Sequence, residues 1–183
     1  MGEQSKQLLP WEGERSLLRH SILQAEQSFA DSVYVVLGHD FESLSRHVAD
    51  LNVEVLHHPD YTLGLGSSLA SGTRQLLLRE CPDRLLVLLA DQPGVTTTLI
   101  NAYLNEGNLH PASVIATAYG HCPGVPALFP ASFLSKLMAL QGDAGAGKLL
   151  REPGGQDIRL IYPSEPLYDI DTPEDYHRWR PGS

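Results

Sequence analysis

The chain has 183 residues, 42% hydrophobic and 19% charged, with a formal net charge of −9, a size that suits one domain over residues 1–183 needing no staples for its core. Its acidity argues against broad nucleic-acid binding and against an anionic membrane surface, and no apolar run approaches the ~18 residues of a membrane span. Two isolated cysteines, Cys81 and Cys122, fit neither a disulfide framework nor a zinc site, so the expected compartment is the reducing cytoplasm.

Helical and strand patterns alternate along the chain, which predicts an α/β layered domain. Arg15–Phe29 carries Leu17, Leu18, Ile22 and Ala25 at helical spacing. Val33–Leu37 reads as a buried strand stopped at Gly38, followed by a helix over Phe41–Leu51 and a short strand over Val53–Leu56. His57–Tyr61 is a loop, and Gly66–Leu78 is a helix that Ser67 and Ser68 can cap. Leu85–Leu89 is a buried strand expected in a parallel sheet, and Thr96–Leu104 is a helix. Strands follow at Ser113–Ala118 and after the Gly124 turn to Phe129; helices span Ser132–Leu140 and Ala144–Arg151; a late strand spans Ile158–Tyr162.

The segment LLVLLADQPGV is the most informative. A short apolar run ends on Ala90, and Asp91 appears just before Gln92 and Pro93. Open α/β sheets bind ligands beyond the carboxyl ends of their strands. A carboxylate placed there suits a hard cation such as Mg2+, which takes one or two carboxylates plus substrate phosphates. It equally suits a residue that starts the turn or caps the next helix.

GLGSSLASG, from Gly64, is a glycine-rich turn opening a helix, whose first amides can meet an anion or a base edge; a plain helix start explains it as well. Gly142-x-x-x-x-Gly147-Lys148 mimics a phosphate loop. Leu149 replaces the Ser or Thr that would hold Mg2+, and the preceding segment reads as helix rather than strand, so a phosphate-loop NTPase is rejected. In YDIDTPEDY, Thr172, Pro173 and Asp175 form a helix start. Asp169 and Asp171 are left without a structural job and share a parity if extended. The histidines lack zinc spacing, and there is no GxSxG elbow.

Seven segments in order carry a resemblance: KQLLPW from Lys6, VVLGHD from Val35, PDYTLGLGSSL from Pro59, LLADQPGV from Leu88, GVPALFP from Gly124, GDAGAGKLL from Gly142, and YDIDTPEDY from Tyr168. Together they resemble the MobA-like nucleotidyltransferases, closest to the molybdenum-cofactor cytidylyltransferases. The resemblance implies a Rossmann-like nucleotidyltransferase fold, the nucleotide-diphospho-sugar transferase type, with three α/β/α layers and a mixed, mostly parallel sheet. It implies Mg2+ bound by Asp91 and Asp171, catalysis by Asp91 and Lys6, phosphate contact by Lys6, and a base held by Gly64, Gly66, Ser67 and Ser68.

The implied reaction transfers CMP from CTP to molybdopterin and releases pyrophosphate, with a molybdenum enzyme as a possible recipient of the product. A guanylyltransferase or sugar-phosphate nucleotidyltransferase is the alternative within the fold, and an inactive binder in molybdenum-enzyme maturation is the alternative outside enzymes. The chain departs from the family in two places. The opening strand and its LAAGxSxR loop are missing ahead of Lys6, with Met1-Gly2 standing where the loop ends; a late start assignment or a trimmed chain is the expected reason. Val125 stands where many of these cytidylyltransferases carry His.

Overall fold

The computed structural model describes residues 6–11, 13, 16–151 and 157–179. The Met1-Gly2 start and Arg15, the first residue of the first expected helix, lie outside the described residues. The elements in chain order are α1 (Leu17–Glu26), β1 (Tyr34–Leu37), α2 (Phe41–His47), β2 (Glu54–His57), α3 (Leu65–Leu77), β3 (Arg84–Val87), α4 (Thr97–Leu109), β4 (Val114–Tyr119), β5 (Cys122–Pro130), α5 (Leu134–Met138), α6 (Ala146–Arg151), β6 (Ile158–Ile161) and α7 (Pro173–Trp179).

Local chemistry accounts for most of these boundaries. Ser16 caps α1 by accepting from the Arg19 amide at 3.2 Å, and Leu17, Leu18, Ile22 and Ala25 are its buried face. Thr96 caps α4 in the same way, accepting from the Leu99 amide at 3.3 Å. At α7 the Asp175 carboxylate accepts from the Thr172 amide at 2.9 Å, while the Asp175 amide donates to Thr172 Oγ1 at 3.1 Å. The Thr172 hydroxyl, donating to the same carboxylate at 2.8 Å, and then the Thr172 amide hold the Asp175 carboxyl below the usual range.

Helix α4 runs five residues past the predicted Leu104, through Gly107. A Cβ at Gly107 would sit 2.4 Å from Leu128 Cδ2, so the glycine permits close packing there. The expected helix over Ser132–Leu140 shortens to α5, preceded by a 3-10 turn over Ala131–Phe133. Ser67 and Ser68 do not cap α3: the cap position is Gly64, at φ 100°, and makes no side-chain cap bond.

Strands β3, β5, β4 and β6 form one four-stranded sheet in that order, and β1 with β2 forms a parallel pair. β5 is antiparallel to both β3 and β4, whereas β4 and β6 are parallel. Packing shows that β1 and β3 run in the same sense: Val33 joins Leu86 and Leu88 in one cluster, and Val35 and Leu37 join Ala90 in another. All strands but β5 therefore share a direction, the mixed and mostly parallel arrangement expected. Helices α3, α5 and α6 cover one face around Val114, Ala116, Ala127 and Phe129. Helices α1 and α4 cover the other, with Ala25 and Ile100 clustered with Leu86 and Leu88, and Tyr103 clustered with Ile115 and Leu128.

Two strand expectations need correction. β3 was expected to be buried in a parallel sheet, but its paired edge is antiparallel to β5 and all four residues are only half-buried. Three of the four residues of β1 are likewise half-buried. The cause is shared. Among the described residues no strand lies between the facing edges of β1 and β3, where the expected missing strand would run, and these neighbours have not closed on each other.

Candidate functional site

Asp91 sits on the turn that leaves β3, as the apolar run ending in an acid predicted. Lys6, on a 3-10 turn over Lys6–Leu8, places Nζ 2.7 Å from Asp91 Oδ2 and 2.8 Å from Asp171 Oδ1. The segment holding Asp171 is pinned there by the Ile170 amide, which donates to the Asp91 carbonyl at 2.9 Å. Three distant stretches of chain thus meet at one strand end. Burial by itself works to lower the Lys6 pKa, but the hydrogen bonds and charges of Asp171 and Asp91 outweigh it and hold the ammonium above the usual lysine range.

Asp91 Oδ1 is shielded from solvent and has no hydrogen-bond partner among the described residues. A buried carboxylate oxygen without a donor is costly. With Asp171 beside it, this orphan oxygen suits a hard divalent cation completed by substrate phosphates. Among the described residues no group of three or more His, Cys, Asp or Glu side chains could form an all-protein metal cage.

Asp169 and Asp171, which would share a parity if extended, take different partners. Asp171 meets Lys6, whereas Asp169 Oδ1 accepts from Gln92 Nε2 at 2.8 Å. Gln92 Nε2 also donates to Tyr119 Oη at 3.1 Å, and the Tyr119 hydroxyl donates to the Val125 carbonyl at 2.7 Å. Burial pushes the Tyr119 hydroxyl pKa up. The network ties the β4–β5 hairpin and the cis Val125–Pro126 bond to the turn carrying Asp91. Sequence reasoning missed Gln92 as a connector; the available signal was a polar amide next to the key acid at a buried strand end.

The glycine-serine turn packs against residues 142–145. The Gly66 amide donates to the Gly142 carbonyl at 2.8 Å. A Cβ at Gly64 would lie 2.4 Å from Asp143 Oδ1, and one at Gly66 would lie 2.5 Å from the Ala144 carbonyl oxygen. The two glycines thus permit a close approach of two loops. Ser67 Oγ lies 3.2 Å from His58 Nε2, and Ser68 Oγ donates to the Gly64 carbonyl at 3.3 Å. The phosphate-loop mimic is preceded by α5, and its Leu149 is buried, in keeping with its rejection.

A cavity of about 900 Å³ joins these parts. Gln7, Asp91 and Val125 line it together with Leu65, Ser68 and Asp143, and it continues between β1 and β3. The adjacent histidines point apart: His57 stacks on Phe41 with centroids 3.9 Å apart, and His58 is buried against Ser67. Cys81 and Cys122 are exposed and unbonded.

Comparison with known proteins agrees with this geometry. Residues 1–158 match the MobA-like NTP transferase domain. The chain is 30% identical over 182 residues to the purine catabolism protein PucB of Bacillus subtilis, covering 94% of this chain and 86% of that one. It is 26% identical over 174 residues to the molybdenum cofactor cytidylyltransferase of Escherichia coli, covering 94% and 85%. A manganese complex of Rv0371c from Mycobacterium tuberculosis superposes with a TM-score of 0.76 at 24% identity, covering 96% of this chain and 91% of that one. Sheet, site and similarity agree on a nucleotidyltransferase of the nucleotide-diphospho-sugar transferase fold, and the chain belongs to the MobA-like NTP transferase family.

Proposed function

We propose that this nucleotidyltransferase moves a nucleoside monophosphate, CMP from CTP, onto the phosphate of molybdopterin and releases pyrophosphate, with Mg2+ as its cofactor. The observation that carries the reading is the pair of carboxylates, Asp91 and Asp171, converging on Lys6 Nζ at the carboxyl end of β3. The cytidylyltransferase relative supports the choice of nucleotide and acceptor, and the manganese complex of a protein of the same fold supports a divalent ion.

In this reading Asp91 and Asp171 hold Mg2+, which would neutralise triphosphate charge. Lys6 contacts the phosphates, and Gly64, Gly66, Ser67 and Ser68 lie along the base. An acceptor phosphate oxygen attacks the α-phosphorus in line, the bond from that phosphorus to the β-phosphate bridging oxygen breaks, and pyrophosphate carries away the electron pair. The residues contribute position and charge. Cys81 and Cys122, exposed and unbonded, fit a reducing cytoplasm, and a molybdenum enzyme is the proposed recipient of the product.

The test is Mg2+-dependent binding and turnover of CTP and GTP with molybdopterin, in the chain and in Asp91→Ala. We expect CTP to be preferred and Asp91→Ala to lose at least about a hundredfold in turnover, since losing one charge-stabilising group costs about 3 kcal/mol. Turnover of the variant within tenfold of the parent removes Asp91 from the mechanism. A preference for GTP reassigns the nucleotide, and a folded chain that binds neither overturns the reading.

A further inference from the structure

Gln92 follows Asp91 directly and is 4% exposed, an uncharged amide held in the interior beside a site built of charges. Both hydrogens of its Nε2 are used: one goes to Asp169 Oδ1 at 2.8 Å and the other to Tyr119 Oη at 3.1 Å. These partners fix which way the amide faces. An ionised carboxylate only accepts, and the Tyr119 hydrogen already goes to the Val125 carbonyl at 2.7 Å, so an oxygen in place of Nε2 would meet two acceptors. Gln92 Oε1 is left buried and without a partner among the described residues. An amide kept in such a place argues for a job that its N–H groups do.

Asp91 and Gln92 grip the 169–171 segment at two successive points. The Asp91 carbonyl accepts from the Ile170 amide at 2.9 Å, and Gln92 Nε2 donates to the Asp169 carboxylate. Ile170 is fully buried in a cluster with Trp11 and Leu17, so the segment has one apolar anchor and two polar ones. The Asp171 side chain is 63% exposed, and its contact with Lys6 joins partly solvated groups. Such a pair fixes little by itself, so the direction of the Asp171 carboxylate is set by the grip behind it. A hydrophobic residue at position 92 would fill the space and donate nothing. A lysine would donate but set a positive charge beside a pair of cation-binding carboxylates. A neutral side chain with two hydrogens on one nitrogen meets both demands.

We propose that Gln92 is a positioning residue for the reaction: through Asp169 it holds Asp171 in register with Asp91, so that both carboxylates take one divalent ion. Its second arm, through Tyr119, steadies the Val125 wall of the cavity and leaves the ion alone. The inference rests on the reading of Asp91 and Asp171 as the metal pair.

Mn2+ binding, followed by electron paramagnetic resonance with and without CTP, tests the proposal on the full chain. Asp169→Ala and Gln92→Met should each weaken Mn2+ binding by about tenfold to a hundredfold, the usual effect of losing a group that orients a metal ligand. The two together should do no more than either alone, because they cut one link. Asp169→Asn keeps an acceptor oxygen for the same N–H and should stay within about threefold of the parent, as should Tyr119→Phe, which loses the other arm. A purely structural role for Gln92 would lower the melting temperature and leave Mn2+ binding unmoved. Asp169 is exposed, so Asp169→Ala keeps the test decisive should Gln92→Met fail to fold. The proposal is overturned if Asp169→Ala binds Mn2+ within about threefold of the parent, or if the losses in the double variant add. It is equally overturned if Asp169→Asn or Tyr119→Phe weakens binding as much as Asp169→Ala, which would lay the effect on charge or on the hairpin. In each of those cases the parent still binds Mn2+ and the metal pair stands. A parent that binds no Mn2+ in either condition, or an Asp91→Ala variant that binds it as well as the parent, overturns the metal pair and the proposal with it.

Discussion

Leu128 on β5 and Leu86 on β3 stand directly opposite each other in the same antiparallel pair. Leu128 is 1% exposed, whereas Leu86 is half-buried. The difference lies in the second neighbour. β5 has a strand on each side, whereas β3 has β5 on one side and, on the other, the slot that faces β1. Burial of a sheet residue is thus a property of both flanking strands and the helices above and below, and an apolar sequence alone does not supply it.

The largest test of this contrast is a pair of leucine truncations. Leu128→Ala should cost about 2–5 kcal/mol, the usual range for a buried leucine, and Leu86→Ala about half of that or less, because its site is already open. Urea unfolding measures both; equal costs would mean that the slot is closed in solution.

A smaller effect is expected from the polar centre of the closed half. The Tyr103 hydroxyl donates to Thr117 Oγ1 at 2.5 Å, and Thr117 Oγ1 donates to the Pro126 carbonyl at 2.7 Å. Tyr103→Phe should cost about 1 kcal/mol at neutral pH. Burial pushes the Tyr103 pKa up to about 12. The folded state therefore keeps a proton that the unfolded chain loses near pH ~10, and stability should fall as pH rises from there through the folded value. Tyr103→Phe should remove that part of the alkaline loss; an unchanged slope from pH 9 to 11 would show that this hydroxyl is not held in the fold.

The smallest effect should come at the mouth of the open half. Lys6→Gln should change stability by less than about 1 kcal/mol, because its carboxylate partners are partly solvated. The raised Lys6 pKa makes its contribution complete below the ordinary lysine value of ~10.4 and lost only as pH rises through the folded value. A cost at neutral pH near that of Leu128→Ala would place Lys6 in the closed core rather than at an accessible site.

Much of this was legible in the residues. The position of Asp91 followed from an apolar run ending in an acid, and the start of α7 from the Thr172–Asp175 spacing. The antiparallel docking of β3 on β5 was not legible, because RLLV reads equally well beside a parallel or an antiparallel neighbour. Nor were the partners of His58 and Gln92, since both bonds depend on which loops meet. Gly64 and Gly66 carried a turn signal, but their crowding by Gly142, Asp143 and Ala144 comes from a loop far along the chain.

The amino-acid sequence by itself determined the order of helices and strands, the capped start of α7, and the acid beyond β3, because periodicity and capping act within a few neighbouring residues. Tertiary structure alone decided that Lys6 meets Asp91 and Asp171 across 85 and 165 residues, that Asp169 turns to Gln92, and that β1 and β3 face each other across a slot. Those outcomes depend on which strand edges and loops are brought together by packing, a long-range choice that no local pattern encodes.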